Sequence, residues 1–145
     1  MIYTIGYDGK SFEEMITQLK KREVKFLFDI RFRPFSYNFQ YNSGILNVNT
    51  NKEGMTYLYI PELGNINYKD SSLPIVIQNI EAGMEKILPI IQKFKDKPGY
   101  SFALLCACLN YNYCHRKVVA GLLQEKGYPT EEIEYSKSDT LKSLL

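Results

Sequence analysis

Phe102-Ala103-Leu104-Leu105-Cys106-Ala107 is the stretch of sequence that decides the fold, because it is almost wholly apolar. Apolar residues at every position, rather than at alternate positions, predict a strand that is covered by side chains on both faces. Strands of this kind belong to parallel sheets with helices packed on both sides. The stretch therefore predicts an α/β protein with a central strand at residues 102–107.

Four other short segments have the composition of strands. Gly6 and Pro61 end two of them, and Pro34 turns the chain into a loop after a third. Residues 35–51 are polar, Asn-rich and aromatic, which favours irregular structure with one short helix near Ile45. The predicted strands are residues 2–5, 25–30, 55–60 and 133–135.

Three segments have the spacing of amphipathic helices. The first begins with a capping box formed by Ser11 and Glu14. The second follows Pro74 and contains Pro89, which predicts a kink, and the third ends at Gly127. The apolar residues with helical spacing are Phe12, Met15, Ile16 and Leu19, then Ile77, Ile80, Met84, Ile87 and Ile91, and finally Val118, Val119, Leu122 and Leu123.

Strands that alternate with helices predict a mainly parallel sheet, because a parallel pair needs a crossover element to return the chain. We therefore expect a single three-layer domain over residues 1–145, with helices on both faces of the sheet. Ligands of such sheets bind beyond the carboxyl ends of the strands. Polar residues that follow the predicted strands are therefore the first candidates for a functional site.

The composition argues against several classes of protein. A net charge of +2 provides no strong field of the kind that nucleic-acid or anionic-membrane binding requires. No apolar run approaches the roughly 18 residues that cross a bilayer, and the N-terminus lacks the pattern of a signal peptide. Three cysteines, close together and odd in number, suit a reducing compartment. We therefore expect a cytoplasmic protein with no membrane partner.

The segment Cys114-His115-Arg116 carries the clearest chemical signal. We expect the central strand to end near Cys108 and the next helix to begin near Asn112, its N-cap. The tripeptide would then lie in the first helical turn, where N–H groups and the helix dipole attract anions and favour thiolate. This predicts Cys114 as nucleophile, His115 as proton carrier and Arg116 as anion clamp. The alternative is that these side chains only pack and cap neighbouring loops.

Two carboxylates are candidates for acid–base catalysis. Asp29 and Glu62 each follow an apolar strand, so both are expected at the carboxyl ends of the strands, where ligands of such sheets bind. Either of them could instead be structural, and for Asp29 the alternative is an ion pair with Arg31 or a cap on a neighbouring loop.

A zinc site is a competing interpretation of the same region. Cys106, Cys108, Cys114 and His115 have the number and identity of a closed tetrahedral set. Their spacing fits less well. Adjacent helical residues such as Cys114 and His115 point about 100° apart, and the Cys-x-Cys pair is shorter than the Cys-x₂₋₄-Cys pair that is usual in zinc sites. The sequence therefore favours thiols without a metal, with Cys106 in the core.

In residues 31–41, cationic side chains alternate with aromatic ones. The cations can bind phosphates, and the rings can stack on bases. This predicts, as an alternative to an enzyme, a non-catalytic module that binds nucleotides or single-stranded nucleic acid. The low net charge favours the other interpretation of the stretch, a loop that packs its rings onto the core.

Four short motifs occur in order along the chain. They are Thr4-Ile5-Gly6-Tyr7, Asp29-Ile30-Arg31 with Pro34 and Ser36, Pro61-Glu62-Leu63-Gly64, and Leu104-Leu105-Cys106 followed by Cys114-His115-Arg116. In order and spacing they resemble the domain of unknown function (DUF) 488 family, from the N-terminus to about Gly127. The resemblance implies an α/β domain with shared polar residues at the strand ends, and it supplies no reaction. Two positions differ from the family pattern: Tyr7, where members often have histidine, and Cys108, where an acidic residue is expected.

Taken together, these observations predict an enzyme, a hydrolase or transferase, that acts on a small anionic substrate bearing a phosphate or resembling a nucleotide. The predicted catalytic residues are Cys114, His115, Asp29 and Glu62, and the predicted substrate-binding residues are Tyr7, Arg31, Ser36, Cys106 and Arg116.

Overall fold

The computed structural model describes residues 1–135 of the chain. In this part, five strands form one sheet in the order β3-β2-β4-β1-β5, and every neighbouring pair is parallel. The strands are β1 (Ile2–Gly6), β2 (Val24–Asp29), β3 (Thr56–Tyr59), β4 (Ser101–Cys106) and β5 (Thr130–Glu132). The helices are α1 (Phe12–Lys21), α2 (Ser43–Lys52), α3 (Ile80–Phe94) and α4 (His115–Glu125).

Strand β4 is central, as its uniformly apolar sequence predicts. Ala103 and Leu105 belong to one buried apolar cluster, whereas Phe102 and Leu104 belong to another. Helices α1 and α2 contribute to the first cluster, and α3 and α4 contribute to the second. The predicted fold class, a three-layer α/β domain with a parallel sheet, is confirmed. Its extent over residues 1–145 stays a prediction, because residues 136–145 lie outside the described part.

Helix α1 begins with the predicted capping box. The Ser11 hydroxyl accepts a hydrogen bond from the backbone N–H of Glu14, and the Glu14 carboxylate accepts one from the backbone N–H of Ser11. This reciprocal pair satisfies two donors that a helix start leaves without partners. Within residues 1–135, no helix has both the length and the apolar character that crossing a membrane requires.

The strand register brings the carboxyl ends of β1, β2 and β4 to one edge of the sheet. Gly6 pairs with Cys106, and Asp29 pairs with Leu105. The loop after β4 then folds back onto β1, so closely that a Cβ on Gly6 would lie 2.0 Å from the carbonyl oxygen of Cys108. Glycine at this position therefore lets the loop close over the end of the sheet.

Two predicted boundaries around the cysteines are wrong. Strand β4 ends at Cys106 rather than near Cys108, and α4 begins at His115 rather than near Asn112. A short 3₁₀ turn, Tyr111–Tyr113, occupies the interval. The side chain of Asn110 accepts a hydrogen bond from the backbone N–H of Asn112, and this local bond competes with helix formation. Cys114, not Asn112, is the N-cap of α4.

Other boundaries also differ from the predictions. The last strand is Thr130–Glu132 rather than residues 133–135, because pairing with β1 recruits a polar segment that lacks a strand-like composition. Helix α2 runs for ten residues, longer than the short helix predicted there. Helix α3 contains Pro89 and starts at Ile80, whereas Ile77 forms an isolated bridge with Asn65.

Candidate active site

A cavity of about 520 Å³ opens at the carboxyl edge of the sheet. Four of the predicted site residues line it, one after each of β1 and β2, one at the end of β4 and one at the start of α4. These residues are Tyr7, Arg31, Cys106 and His115. The topology therefore brings together side chains that are far apart in sequence, as the strand-end rule for parallel sheets predicts.

Arg31 is held at the cavity by a buried carboxylate. Its Nε and Nη2 donate to the two oxygens of Asp29 at 2.8 and 2.6 Å, and its Nη1 donates to the Tyr7 hydroxyl at 2.9 Å. Burial lowers the pKa of Arg31, but the hydrogen bonds and charge of Asp29 outweigh that effect and raise it above its usual value. These bonds use three of its five N–H groups, and the side chain lines the cavity.

Asp29 supports this arginine rather than facing the cavity. The carboxylate has no exposed surface, does not line the cavity, and accepts a further hydrogen bond from the Tyr57 hydroxyl. Burial, followed by the charge of Asp29, raises the pKa of Tyr57 above its usual value. The structural alternative considered for Asp29, an ion pair with Arg31, is therefore present.

His115 is oriented by the backbone of β2. Its Nε2 lies 2.7 Å from the carbonyl oxygen of Ile30. Because a carbonyl can only accept, we assign the proton to Nε2, which leaves the lone pair of Nδ1 free in the neutral ring. Nδ1 lies 3.5 Å from the sulfur of Cys106 and 3.8 Å from that of Cys114. The imidazole therefore presents a proton acceptor to two thiols.

Cys106, Cys108 and Cys114 converge on one another. Cys106 and Cys114 are buried, whereas Cys108 is exposed and lines the cavity. Hydrogen bonds from Cys106 and then Cys114 lower the pKa of the Cys108 thiol, and the charge of Arg116 adds to this effect. The same hydrogen bond to Cys108 raises the pKa of Cys106. The directions of these shifts favour ionisation of Cys108, whose side chain lines the cavity.

Cys108 is thus the residue that the predicted site omits. The C-x-C spacing after an apolar strand could have indicated it, because alternate residues at a strand end can turn to the same side. Cys114, predicted as the nucleophile, has only 1% of its surface exposed and lies behind the cavity wall.

Arg116 lies outside the cavity, with no exposed surface. Its guanidinium donates to both carboxylate oxygens of Glu132 and to the backbone carbonyls of Cys108 and Leu109. Burial lowers the pKa of Arg116, but the hydrogen bond to Glu132 together with the charges of Cys114, Glu132 and Cys106 outweighs that effect and raises the pKa. In this arrangement Arg116 holds the cysteine loop in place and presents no free edge to an anion.

The remaining two predicted residues also lie outside the cavity lining. The carboxylate of Glu62 pairs with Lys86 of α3. The hydroxyl of Ser36 accepts a hydrogen bond from the backbone N–H of Asn38 and contacts the Tyr7 hydroxyl. Ser36 therefore reaches the site only through Tyr7.

A model of one protein family, described as domain of unknown function DUF488, matches residues 11–123. This match covers most of the chain. The chain belongs to the DUF488 family. The DUF488 region includes every residue of the cavity lining except Tyr7, so the cavity is a feature of the matched domain. Comparisons with curated proteins and with solved structures found no match.

Proposed function

We propose that this DUF488 chain is an enzyme that acts on a small anionic substrate, phosphate-bearing or nucleotide-like, through a thiol–imidazole cluster. One observation supports the proposal most directly: Arg31, Cys106, Cys108 and His115 line the same cavity. An anion held by the arginine would lie beside an exposed thiol. A cavity of about 520 Å³ has the volume usual for small-molecule sites.

Arg31 is the anion-binding residue of the proposal, in place of the buried Arg116. Its guanidinium is fixed by Asp29 before any ligand arrives, so little side-chain entropy is lost on binding. Its two remaining N–H groups can donate to the oxygens of a phosphate or carboxylate. The exposed Arg33 also lines the cavity and supplies a second positive charge.

Cys108 is the proposed nucleophile. Its sulfur attacks the electrophilic atom of the substrate, a bond from sulfur to that atom forms, and the bond to the leaving group breaks with its electron pair. The thiol proton of Cys108 is taken up by Nδ1 of His115 and passed from there to the leaving group. Attack by water or by an acceptor molecule then releases the sulfur, which gives a hydrolase or a transferase. The reaction requires free thiols, as in the reducing cytoplasm.

The test combines binding and turnover on the reduced protein after dialysis against a chelator. Calorimetry with inorganic phosphate and with a nucleoside 5′-monophosphate should show binding to the native chain. The affinity should fall at least tenfold in Arg31→Lys, because lysine keeps the charge but lacks the planar guanidinium with its paired N–H donors. Lys20→Met removes an exposed cation paired with Glu53 on α1 and should leave binding unchanged. Cys108→Ser should keep binding and lose turnover of p-nitrophenyl phosphate or the nucleotide. The proposal would be overturned if neither ligand bound with a dissociation constant below about 10 mM.

A second candidate function is non-catalytic binding of nucleotides or single-stranded nucleic acid. The observation that favours it is a rim of exposed rings, because Phe35 and Tyr113 line the cavity with 72% and 79% of their surfaces exposed. Exposed rings beside Arg33 can stack on bases. Labelled single-stranded oligonucleotides should then bind in a salt-dependent way, and Phe35→Ala should weaken binding. Binding that persists in Cys108→Ser without any turnover in the native protein would favour this function over the enzyme.

A further inference from the structure

Two buried cysteines and the histidine bring their donor atoms together beside the cavity. One donor atom from each of Cys106, Cys114 and His115 lies within 4.8 Å of the others, and all three residues are buried. The Cys108 thiol lies beside this group, close enough for Cys106 and Cys114 to lower its pKa. Three side chains with soft or borderline donor atoms therefore surround one point beside the cavity, and the thiol of Cys108 is next to them.

We infer that the converging donors of Cys106, Cys114 and His115 bind one thiophilic metal ion, with Cys108 as the fourth ligand of a Cys₃His site and Zn²⁺ as the expected occupant. In a tetrahedral zinc site, bonds of about 2.3 Å to sulfur and 2.0–2.1 Å to nitrogen separate a sulfur from a nitrogen ligand by about 3.6 Å. The two sulfur–Nδ1 separations are 3.5 and 3.8 Å. Both correspond to edges of such a tetrahedron.

The backbone removes the spacing objection to this ligand set. Adjacent residues inside a helix diverge by about 100°, but Cys114 is the N-cap of α4 and has extended backbone angles, φ −106° and ψ 145°. Only His115 has entered the helix. The side chains of Cys114 and His115 can therefore turn to the same centre, and their donor atoms do so.

The surroundings of the histidine match those of a metal ligand. Metal-binding imidazoles commonly donate their second N–H to a carbonyl or carboxylate, which fixes the ring and directs the other nitrogen to the metal. His115 does this through Nε2 and the carbonyl of Ile30. Arg116 provides positive charge beside the thiols, which offsets the net negative charge of three thiolates around a divalent ion.

This inference goes beyond the proposed function, because it uses neither Arg31 nor an anionic substrate. It also constrains that function. A thiolate bound to a metal is no longer a free nucleophile, so attack by Cys108 would belong to the metal-free protein. Metal binding and phosphate binding can be measured separately, and failure of one leaves the other intact.

The experiment starts with protein purified under reducing conditions and analysed for bound metals by mass spectrometry. We expect about one Zn²⁺ per chain. After removal of the metal, titration with Co²⁺ should produce the visible bands of tetrahedral cobalt and thiolate-to-cobalt charge-transfer absorption, saturating at one ion per chain. Zn²⁺ should then displace the cobalt.

Variants test the ligand set itself. Cys108→Ser changes an exposed side chain and should weaken Co²⁺ binding at least tenfold and reduce the charge-transfer absorption. His115→Gln should abolish the tetrahedral spectrum, and circular dichroism checks that it remains folded. Tyr113→Phe, an exposed neighbour that is not a ligand, is the matched control and should bind like the native chain. The inference is overturned if the reduced native chain takes up no stoichiometric Co²⁺ or Zn²⁺, or if Cys108→Ser has the native spectrum and affinity.

Discussion

The guanidinium of Arg116 and the carboxylate of Glu132 form an ion pair, with 2.7 Å between Nη2 and Oε1, that joins the start of α4 to β5. The same guanidinium donates to the backbone carbonyls of Cys108 and Leu109. One buried side chain thereby connects β5, α4 and the loop that carries Cys108. The position of the exposed thiol depends on this connection.

Replacing Arg116 with methionine should destabilise the protein by about 2–4 kcal/mol, because Glu132 loses its partner and two loop carbonyls lose their donors. Glu132 is partly exposed, so the loss of stability should be smaller than for a fully buried charge without a partner. Urea unfolding followed by circular dichroism measures the change. Lys117→Met, one residue along the same helix but exposed, should change stability by no more than about 0.5 kcal/mol. A loss in Arg116→Met no larger than in Lys117→Met would contradict the structural role.

Replacing Gly6 with alanine should displace the loop after β4, because the new Cβ would lie 2.0 Å from the carbonyl oxygen of Cys108. We expect a loss of about 2–3 kcal/mol and weaker phosphate binding. Gly121→Ala is the control, since its Cβ would meet nothing within 4 Å and alanine favours the helical conformation of α4. That variant should be more stable by about 0.5–1 kcal/mol. Equal effects of the two substitutions on stability would show that the loop does not require glycine.

Stability should fall at alkaline pH because of buried tyrosines. Burial raises the pKa of Tyr41 and Tyr57 above the unfolded value near 10, and the charge of Asp29 contributes to the shift of Tyr57. Above pH 10 the unfolded chain therefore releases protons that the folded chain retains. The stabilisation is complete below about pH 10 and decreases as the pH rises, by about 1.4 kcal/mol per pH unit for each such tyrosine.

Urea unfolding at pH 8 to 11 measures this slope. Above pH 10, Tyr57→Phe should make the slope shallower by up to about 1.4 kcal/mol per pH unit, whatever its effect at pH 8. The exposed Tyr113→Phe is the control and should keep the native slope. An unchanged slope in Tyr57→Phe would mean that Tyr57 ionises equally in both states.

Alkylation should distinguish the three thiols. In the folded, reduced and metal-free protein, iodoacetamide should modify exposed Cys108 at least tenfold faster than Cys106 or Cys114, which expose 5% and 1% of their surfaces. Peptide mapping by mass spectrometry identifies the site. In urea all three should react at similar rates, which provides the control. Preferential labelling of Cys114 in the folded protein would contradict the orientation of the loop.

Much of the fold can be predicted from the sequence because its signals are local. The uniformly apolar β4 and the capping box at Ser11 both act through neighbouring residues, and both are confirmed. Strand β5 could not be predicted, because Thr130–Glu132 lacks a strand-like composition and becomes a strand by pairing with β1. The helix start near Asn112 was wrong because the side chain of Asn110 stabilises a 3₁₀ turn there.

The candidate site could be predicted in part. Its place at the strand ends follows from parallel topology, and Tyr7, Arg31, Cys106 and His115 line one cavity. Which charged groups face that cavity could not be predicted. Arg31 and Arg116 look equivalent in the sequence, yet Asp29 fixes Arg31 at the cavity wall while Glu132 holds Arg116 behind it.

By itself the sequence determined the α/β class, the central strand and the edge of the sheet where a site should lie, because apolar periodicity and helix caps depend on residues close together in the chain. Only the tertiary structure decided that the sulfurs of Cys106 and Cys114 converge with Nδ1 of His115, and that Cys108 rather than Cys114 lines the cavity. Convergence of this kind depends on strand register and on the backbone angles at a helix start, which contacts between distant residues set.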